Sequence, residues 1–331
     1  MIKKILIMAV FFVGLITGTI IDRNFPGKIQ NIQNLFTDAH QVRQGGYSLI
    51  NPLLECEIGQ RMLSKELVSF RKLIENEVGK LKSSEKIEDM SVYFRDLNNG
   101  LGIGVNEKAD FAPASLLKLP IMIAYLKQSE SDPSILKKTY TYSDPVDRNL
   151  EEHVKPKDPI ISGKTYTVDE LIKRMIAYSD NNAMAILVEN LPLSVQDRVF
   201  SDLGVSVPSG GSATDFMSVN DYASFFRILY NASYLSKENS QKALSFMMGV
   251  DFADGIRGGV PKGTPVANKF GERQVGASQQ LHDCGIVYLT DHPYLLCIMS
   301  RGTDFDSLAS SIRDISHLVY NEAGRQVGHH N

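Results

Sequence analysis

A serine and a lysine three residues apart are the first pair in this sequence that could do covalent chemistry. Ser115 and Lys118 lie in the segment FAPASLLKLPIM, just after Pro113, where a long helix is predicted to begin. Residues three apart on a helix share one face, so the amine can reach the hydroxyl. A serine becomes a useful nucleophile when a base takes its proton, and a buried lysine with a lowered pKa can be that base. The spacing is compatible with acyl transfer, but it also occurs often by chance, and a helix cap followed by a surface lysine has the same pattern.

Two further polar triplets follow in chain order. Ser179-Asp180-Asn181 stands between two apolar helical stretches. Lys269 opens a Lys-Phe-Gly triplet that enters the last strands. Each has a purely structural alternative, because Ser, Asp and Asn are preferred helix caps and edge strands often carry solvated lysines. Their occurrence together with the first pair, in this order, favours one shared site.

The elements that must position these triplets can be predicted from apolar periodicity. Residues from Met62 have helical spacing, and the segments 90–97 and 101–107 are strand candidates separated by the turn residues Asn98, Asn99 and Gly100. A capping box, Thr167 to Glu170, opens a helix after a loop-rich stretch. The other predicted elements are helices at 182–189, 219–230, 237–247 and 308–320, and closing strands at 284–289 and 294–299. This order predicts an α+β fold in which both chain ends complete an antiparallel sheet and an all-α subdomain is inserted between them.

The N-terminus has the features of a membrane segment. Lys3 and Lys4 precede an uncharged run over residues 5–21, which as a helix would span about 26 Å. The run ends in TGTIIDR, which is a poor signal-peptidase site, so an uncleaved anchor is favoured over a cleaved signal or a buried helix. The positive flank predicts that the rest of the chain lies outside the cytoplasm.

Composition excludes several classes of protein. The chain has 331 residues, 43% hydrophobic and 22% charged, with a net charge of −3. This balance excludes a disordered chain and a polytopic membrane protein. Because no concentrated basic patch is present, nucleic-acid binding is not expected. The three cysteines have no CxxC spacing, which argues against a zinc scaffold or a disulfide framework.

The three triplets resemble the S-x-x-K, S-D-N and K-T-G motifs of class A β-lactamases and penicillin-binding proteins. The similarity extends to the surrounding segments, from about Met62 to Tyr320. The segments that carry it are FAPASLLK, YTVDELIKRMIAYSDNNAMAILVENL, ADGIRGGVPKGTPVANKFGE and LHDCGIVYLTDHPYLLCIMSRG. The resemblance implies a β-lactamase-like fold and an acyl-serine mechanism.

The same resemblance implies a role for each matching position. Ser115 would be the acylated nucleophile, Lys118 its proton acceptor, and Ser179 the shuttle to the leaving nitrogen. The backbone amides of Ser115 and Glu272 would form the oxyanion hole. The positions implied to bind substrate are Asn181, Lys269, Gly271 and Glu272. Neither a metal nor an organic cofactor is implied.

Two departures from the family bear on activity. No glutamate–asparagine pattern follows Glu189, so the base that activates water for deacylation is expected to be missing, and the acyl-enzyme should persist. Phe270 stands where the family has Thr or Ser, and a phenyl ring cannot donate a hydrogen bond to a substrate carboxylate. Ser278 or Arg273 are alternatives for that contact. If water is activated nonetheless, Asp215 and Glu272 are the candidates.

Two other features of the closing strands have alternatives. His282 and Asp283 invite a Ser-His-Asp interpretation, but neighbouring strand residues point to opposite faces. With the hairpin turn centred between Asp291 and His292, Cys284 would lie opposite Met299. We therefore expect buried thiols in preference to a disulfide.

The sequence thus predicts four segments: an anchor at 1–23, a juxtamembrane spacer at 24–60, a β-lactamase-like catalytic domain at 61–322 and a flexible tail at 323–331. The expected function is that of a membrane-anchored, extracytoplasmic serine hydrolase of the class A β-lactamase type. One alternative is a D,D-peptidase or penicillin-binding protein acting on peptidoglycan peptide, and another is a catalytically silent cell-wall binding module. We expect a monomer with a small-molecule or peptidoglycan-peptide substrate.

Overall fold

The computed structural model describes residues 41–56, 65–208 and 214–328, and a five-stranded antiparallel sheet lies at its centre. The strand order is β4-β3-β9-β8-β7, so the N-terminal hairpin and the C-terminal strands together complete the sheet. The strands are β3 (Asp89–Asp96), β4 (Gly102–Val105), β7 (Val266–Val275), β8 (Ser278–Val287) and β9 (Tyr294–Gly302). A separate short pair, β1 (Gln41–Arg43) and β2 (Leu53–Cys56), precedes them.

Helices cover both faces of the sheet. The first and last in the described chain, α1 (Lys65–Ser83) and α8 (Phe305–Gly328), pack on one face. The helices between the two parts of the sheet are α2 (Lys118–Ser129), α3 (Val168–Ala177), α4 (Asn181–Glu189), α5 (Leu193–Asp202), α6 (Val219–Tyr230) and α7 (Lys237–Met248). This arrangement confirms the predicted α+β class.

Alternation along the strands creates a hydrophobic core on each face of the sheet. In β9, Leu296 and Ile298 face α1 and α8, whereas Leu295 and Met299 face the helical insertion. All four are fully buried. Because complete burial of such a side chain contributes about 1.5–3 kcal/mol, the two cores fix the sheet between its helical layers.

The inserted region is not purely helical, although the sequence predicts an all-α subdomain. It contains a two-stranded ribbon formed by β5 (Thr139–Thr141) and β6 (Thr165–Thr167), at the two ends of the loop-rich stretch. Helix α5 was also not predicted. Its apolar positions, such as Val199 and Phe200, are buried, and Pro192 stands at its N-cap.

The cysteine prediction is wrong. Cys284 is paired with Cys297 in the β8–β9 register and bonded to it in a disulfide. The reason is the position of the hairpin turn: Val287 pairs with Tyr294, which centres the turn one residue earlier than expected. A shift of one residue in the centre moves every partner by two, which places Cys297 where Met299 was expected.

The ends of the chain differ from the simple segments expected from the sequence. Residues 42–54, within the predicted spacer, belong to the same compact unit as the sheet, and Ile50 is buried in its core. Helix α8 continues beyond residue 322, where we placed the start of the tail. No helix in the described ranges is long and apolar enough to cross a bilayer, and the predicted anchor at residues 5–21 lies outside them.

Candidate active site

Ser115 lies on a tight turn between Pro113 and helix α2. A 3-10 helix over Ala114–Leu117 leads directly into α2 at Lys118, so the two residues are one turn apart on the same face. Ala114 adopts a left-handed conformation with φ of 48°, which is costly for a residue with a Cβ and is common at functional turns. The result is a distance of 2.8 Å between Lys118 Nζ and Ser115 Oγ. Lys118 is fully buried, and Ser115 is 8% exposed.

The second triplet is fixed by the start of helix α4. Asp180 is its N-cap, and its carboxylate accepts hydrogen bonds from the amides of Asn182 at 2.9 Å and Ile160 at 2.7 Å. Asn149 donates to Asp180 Oδ1 at 3.0 Å and accepts from the Asn181 amide at 2.8 Å. These bonds hold the residue before the cap, Ser179, in a left-handed conformation with φ of 56°. Its carbonyl and its hydroxyl thereby both reach Lys118.

The Lys118 amine is surrounded by four oxygen atoms. Besides Ser115 Oγ, these are Ser179 O at 2.6 Å, Ser179 Oγ at 2.9 Å and Asn181 Oδ1 at 2.6 Å. A neutral amine has two N–H donors and one lone pair. The carbonyl of Ser179 and the amide oxygen of Asn181 can only accept, so they take the donors, and the lone pair is left for a hydroxyl. This geometry suits removal of the Ser115 proton.

The electrostatics of Lys118 are also suited to a base. Burial, the strongest influence, lowers the pKa of Lys118 to about 8, although the negative charges of Glu152, Asp180 and Glu272 act in the opposite direction. A substantial fraction of neutral amine is therefore present just above neutral pH, as general-base catalysis requires.

The third triplet reaches the same cluster from the edge strand β7. Lys269 Nζ lies 3.1 Å from Ser179 Oγ and 2.7 Å from the carbonyl of Phe270, and the side chain is fully buried. The Phe270 ring is also buried; it stacks on Phe252 at 4.6 Å, and its centroid lies 4.4 Å from Lys269 Nζ. Burial, and then the charge of Lys118, hold the pKa of Lys269 well below its ordinary value. Unlike the amine of a solvent-exposed lysine, this amine is enclosed by the Ser179 hydroxyl, the Phe270 carbonyl and the Phe270 ring.

Gly271 allows β7 to approach the Ser115 turn closely. A Cβ at this position would lie 3.0 Å from the amide nitrogen of Leu116 and 3.1 Å from the carbonyl oxygen of Pro113. Since β7 is the edge strand of the sheet, no further strand separates it from that turn. The absence of a side chain at residue 271 therefore allows the strand and Ser115 to lie close together.

A cavity of about 390 Å³ opens beside Ser115. It is lined in part by Asn181, Glu152, Glu272 and Arg273. Glu152 was not predicted as a site residue, because it lies in a loop stretch without a motif and reaches the cavity only through the fold. Arg273, which we considered for a carboxylate contact, lines the cavity, whereas Ser278 is exposed at the start of β8.

The two carboxylates in this cavity lie close to each other. Glu272 accepts hydrogen bonds from the amides of Val154 at 2.9 Å and His153 at 3.1 Å, and Glu152 accepts one from the Asn181 side chain. Burial, followed by the charge and hydrogen bonding of Glu152, raises the pKa of Glu272 to about 7, against the effect of the two amides. Neither carboxylate forms an ion pair within the described ranges.

Several candidate residues lie elsewhere. Glu189 is exposed and lines a different cavity on the other side of α4. Asp215 pairs with Arg301 and accepts a hydrogen bond from a glutamine side chain. His282 contacts the carbonyl of Ala112 at 2.9 Å, and Asp283 bonds on the opposite side of the strand, so they form no relay with Ser115. In the described ranges, no three His, Cys, Asp or Glu side chains cluster as metal ligands would.

Comparison with known proteins assigns the family. The sequence model of the "beta-lactamase enzyme family" matches residues 70–323, which is more than half of the chain and includes all three triplets. The chain belongs to the beta-lactamase enzyme family. A curated relative, β-lactamase CTX-M-97 of Escherichia coli, is 28% identical over 225 residues, covering 62% of this chain and 72% of the relative.

Solved structures in and near this family share the fold. PBP-A, in a point mutant that carries penicillin G as an acyl-enzyme, is 21% identical with a TM-score of 0.64, covering 80% of this chain and all of PBP-A. A class A β-lactamase built as the last common ancestor of Gram-negative bacteria is also 21% identical, with a TM-score of 0.64 and coverage of 75% and 98%. At these identities the likeness shows a β-lactamase-like α+β fold.

Proposed function

We propose that this beta-lactamase family protein is an acyl-serine enzyme that attacks β-lactams or related amides through Ser115. One observation carries the proposal: Lys118 Nζ lies 2.8 Å from Ser115 Oγ, with both of its N–H donors directed to oxygen atoms that can only accept. A surface lysine next to a helix cap would have neither this burial nor these partners.

Three side chains carry out the proton transfers of the proposed acylation step. Ser115 Oγ forms a bond to the amide carbon while its proton moves to Lys118 Nζ, and the C–N bond then breaks. Ser179 Oγ, which lies 2.9 Å from Lys118 Nζ and 3.1 Å from Lys269 Nζ, gives its proton to the leaving nitrogen and takes up the proton that Lys118 received from Ser115. The backbone amides of Ser115 and Glu272 stabilise the oxyanion, a contribution typically of about 2.7–4 kcal/mol for one donor.

The second part of the proposal is slow release of the acyl group. After Glu189, the next glutamate in the chain is Glu238, so the segment that follows helix α4 supplies no glutamate to activate water. Both oxygens of Glu272 accept backbone amides, and Glu152 is bonded to Asn181. We propose that these carboxylates bind and orient groups instead of activating water, so that the acyl-enzyme persists. PBP-A, of which a point mutant holds penicillin G as an acyl-enzyme, supports the acylation step by analogy.

The proposal also includes a location. The basic Lys3 and Lys4 before the uncharged residues 5–21 support an uncleaved membrane anchor with the catalytic domain outside the cytoplasm. There the natural substrate would be a peptidoglycan peptide or a small molecule, and a monomer would suffice because the site is built from one chain. A D,D-peptidase that is acylated by penicillin is the alternative consistent with slow release.

The experiment is incubation of the full-length protein with a fluorescent penicillin, followed by gel imaging and mass spectrometry of the labelled peptide. The proposal predicts a lasting adduct on Ser115, absent from Ser115→Ala. A label that forms and disappears within seconds would identify a hydrolysing β-lactamase. Folded protein with no label at any time would leave the silent cell-wall module.

A further inference from the structure

The charged groups around Ser115 differ in their access to the cavity. The amines of Lys118 and Lys269 are buried, whereas the carboxylates of Glu152 and Glu272 line the cavity. Lys269, the residue implied to attract a substrate carboxylate, is fully buried against Ser179, the Phe270 carbonyl and the Phe270 ring. A substrate anion therefore has no direct access to this amine. Glu152 and Glu272, by contrast, line the open cavity beside the nucleophile.

These two carboxylates lie close to each other and accept hydrogen bonds from uncharged donors. Neither forms an ion pair with a lysine, arginine or histidine of the described ranges, and their carboxyl groups lie within hydrogen-bonding reach of each other. Two neighbouring carboxylates repel each other when both are ionised, and the charges of the buried Lys118 and Lys269 reach them without forming an ion pair. The amides of His153, Val154 and Asn181 keep the two carboxylates in place. A positively charged ligand group would relieve that repulsion.

The position of the pair defines which part of a substrate it meets. Asn181, which donates its side-chain amide to Glu152, also lines the Ser115 cavity. The resemblance to the family implies that Asn181 also holds the acyl-side amide of the substrate. The group just beyond that amide is consequently placed next to Glu152 and Glu272.

We propose that the Glu152–Glu272 pair selects substrates that carry an ammonium group on the acyl side of the attacked bond. This inference rests on the proposed acyl-serine function and names its substrate class. A charge-assisted hydrogen bond to one member of the pair, with the other member nearby, should favour an ammonium over an uncharged group about five- to tenfold. An acyl side chain ending in a carboxylate should be disfavoured.

The test uses three penicillins with the same nucleus and straight acyl chains of one length, ending in an ammonium, a methyl or a carboxylate group. An alkylammonium has a pKa near 10.4 and stays charged at pH 7. The rate of Ser115 acylation is measured by mass spectrometry for each probe. Full-length wild type should be acylated fastest by the ammonium probe and slowest by the carboxylate probe. Equal rates for the ammonium and methyl probes would overturn the inference.

The variants separate the pair from general effects. In Glu152→Gln and in Glu272→Gln the ratio of ammonium to methyl rates should fall toward one, whatever happens to the absolute rates, and either variant suffices if the other does not fold. Glu189→Gln, a matched change of an exposed carboxylate outside the cavity, should keep the wild-type ratio. A ratio unchanged in both site variants would contradict the assignment.

Failure of the proposed function can be told apart from failure of this inference. Equilibrium binding of the three probes to Ser115→Ala, measured by calorimetry, reports charge preference without acylation. If wild type is never acylated but Ser115→Ala binds the ammonium probe more tightly, the mechanism fails and the selectivity stands. If wild type is acylated and neither rates nor binding depend on charge, the selectivity fails alone.

Discussion

The site has two halves that differ in how closely they follow the family pattern. The reactive half, Ser115, Lys118, Ser179 and Asn181, is a continuous network with every distance from Lys118 Nζ between 2.6 and 2.9 Å. The recognition half consists of Lys269, Phe270, Glu272 and Glu152. It departs from the family pattern because a phenyl ring stands in place of the hydroxyl of Thr or Ser, the lysine is buried, and two carboxylates lie side by side. In the proposed function, bond breaking and substrate choice therefore depend on different parts of the site.

Loss of the nucleophile is the strongest test of the reactive half. Ser115→Ala should reduce acylation by penicillin at least 10³-fold, because the covalent bond needs the hydroxyl oxygen. The free energy of unfolding should change by no more than about 1 kcal/mol, since only one small polar group at a helix start is removed. Mass spectrometry and thermal denaturation check the two effects. Residual labelling of folded Ser115→Ala would show that another residue is acylated.

The pH dependence of acylation should report the Lys118 amine. With its pKa lowered to about 8, the neutral base is a minor form at pH 6 and a major form at pH 9. The acylation rate should therefore rise about tenfold per pH unit below about 7.5 and level off above about 8.5. Stopped-flow rates between pH 5.5 and 9.5 measure this. A rate that falls with rising pH over this range would require protonated Lys118 and exclude it as the base.

The close contact between the halves can be broken at Gly271. Gly271→Ala would place a Cβ 3.0 Å from the Leu116 amide, forcing β7 and the Ser115 turn apart. We expect acylation to fall about tenfold or more, with a loss of stability of about 1–3 kcal/mol. Gly79→Ala is the matched control, because it adds a methyl group in open space in helix α1 and should leave the acylation rate unchanged. Equal rates in wild type and Gly271→Ala would remove the argument for close packing.

The recognition half can be sharpened by restoring a hydroxyl. Phe270→Thr should increase the acylation rate about two- to fivefold, because it uncovers Lys269 and adds a donor for a carboxylate, without accelerating release. It should also cost about 2–4 kcal/mol of stability, since the buried ring stacked on Phe252 is lost. Phe200→Thr removes a buried ring outside the site, at the contact of α5 with Phe225, at a similar cost. Only Phe270→Thr should gain acylation; a gain in both would indicate a general loosening.

Local signals predicted most of the reactive half. The spacing of Ser115 and Lys118, and the capping box at Thr167, depend on residues within four positions of each other, so the sequence contains them directly. The placement of Glu152 beside Glu272 depends on a long loop meeting an edge strand, and no pattern within either segment encodes it. The prediction for Cys284 was wrong for a more local reason, because a shift of one residue in the hairpin turn changes every cross-strand partner.

The fold was predictable for the same physical reason. The apolar residues of β3 and β9 are buried on both faces of the sheet, and α1 and α8 have helical periodicity, so few other arrangements bury all of these residues. Helix α5 and the β5–β6 ribbon were missed because they are short and are stabilised by contacts with the rest of the insertion.

The central claim is that the reactive half acylates Ser115 quickly while the site lacks a base that releases the product quickly. The most direct measurement is pre-steady-state hydrolysis of a chromogenic cephalosporin by full-length protein. General-base assistance typically contributes about 10²- to 10⁴-fold, so we predict a burst of about one equivalent per protein followed by a steady state at least 10²-fold slower. Sustained linear turnover without a burst would contradict the account and would assign water activation to a carboxylate such as Glu272 or Asp215.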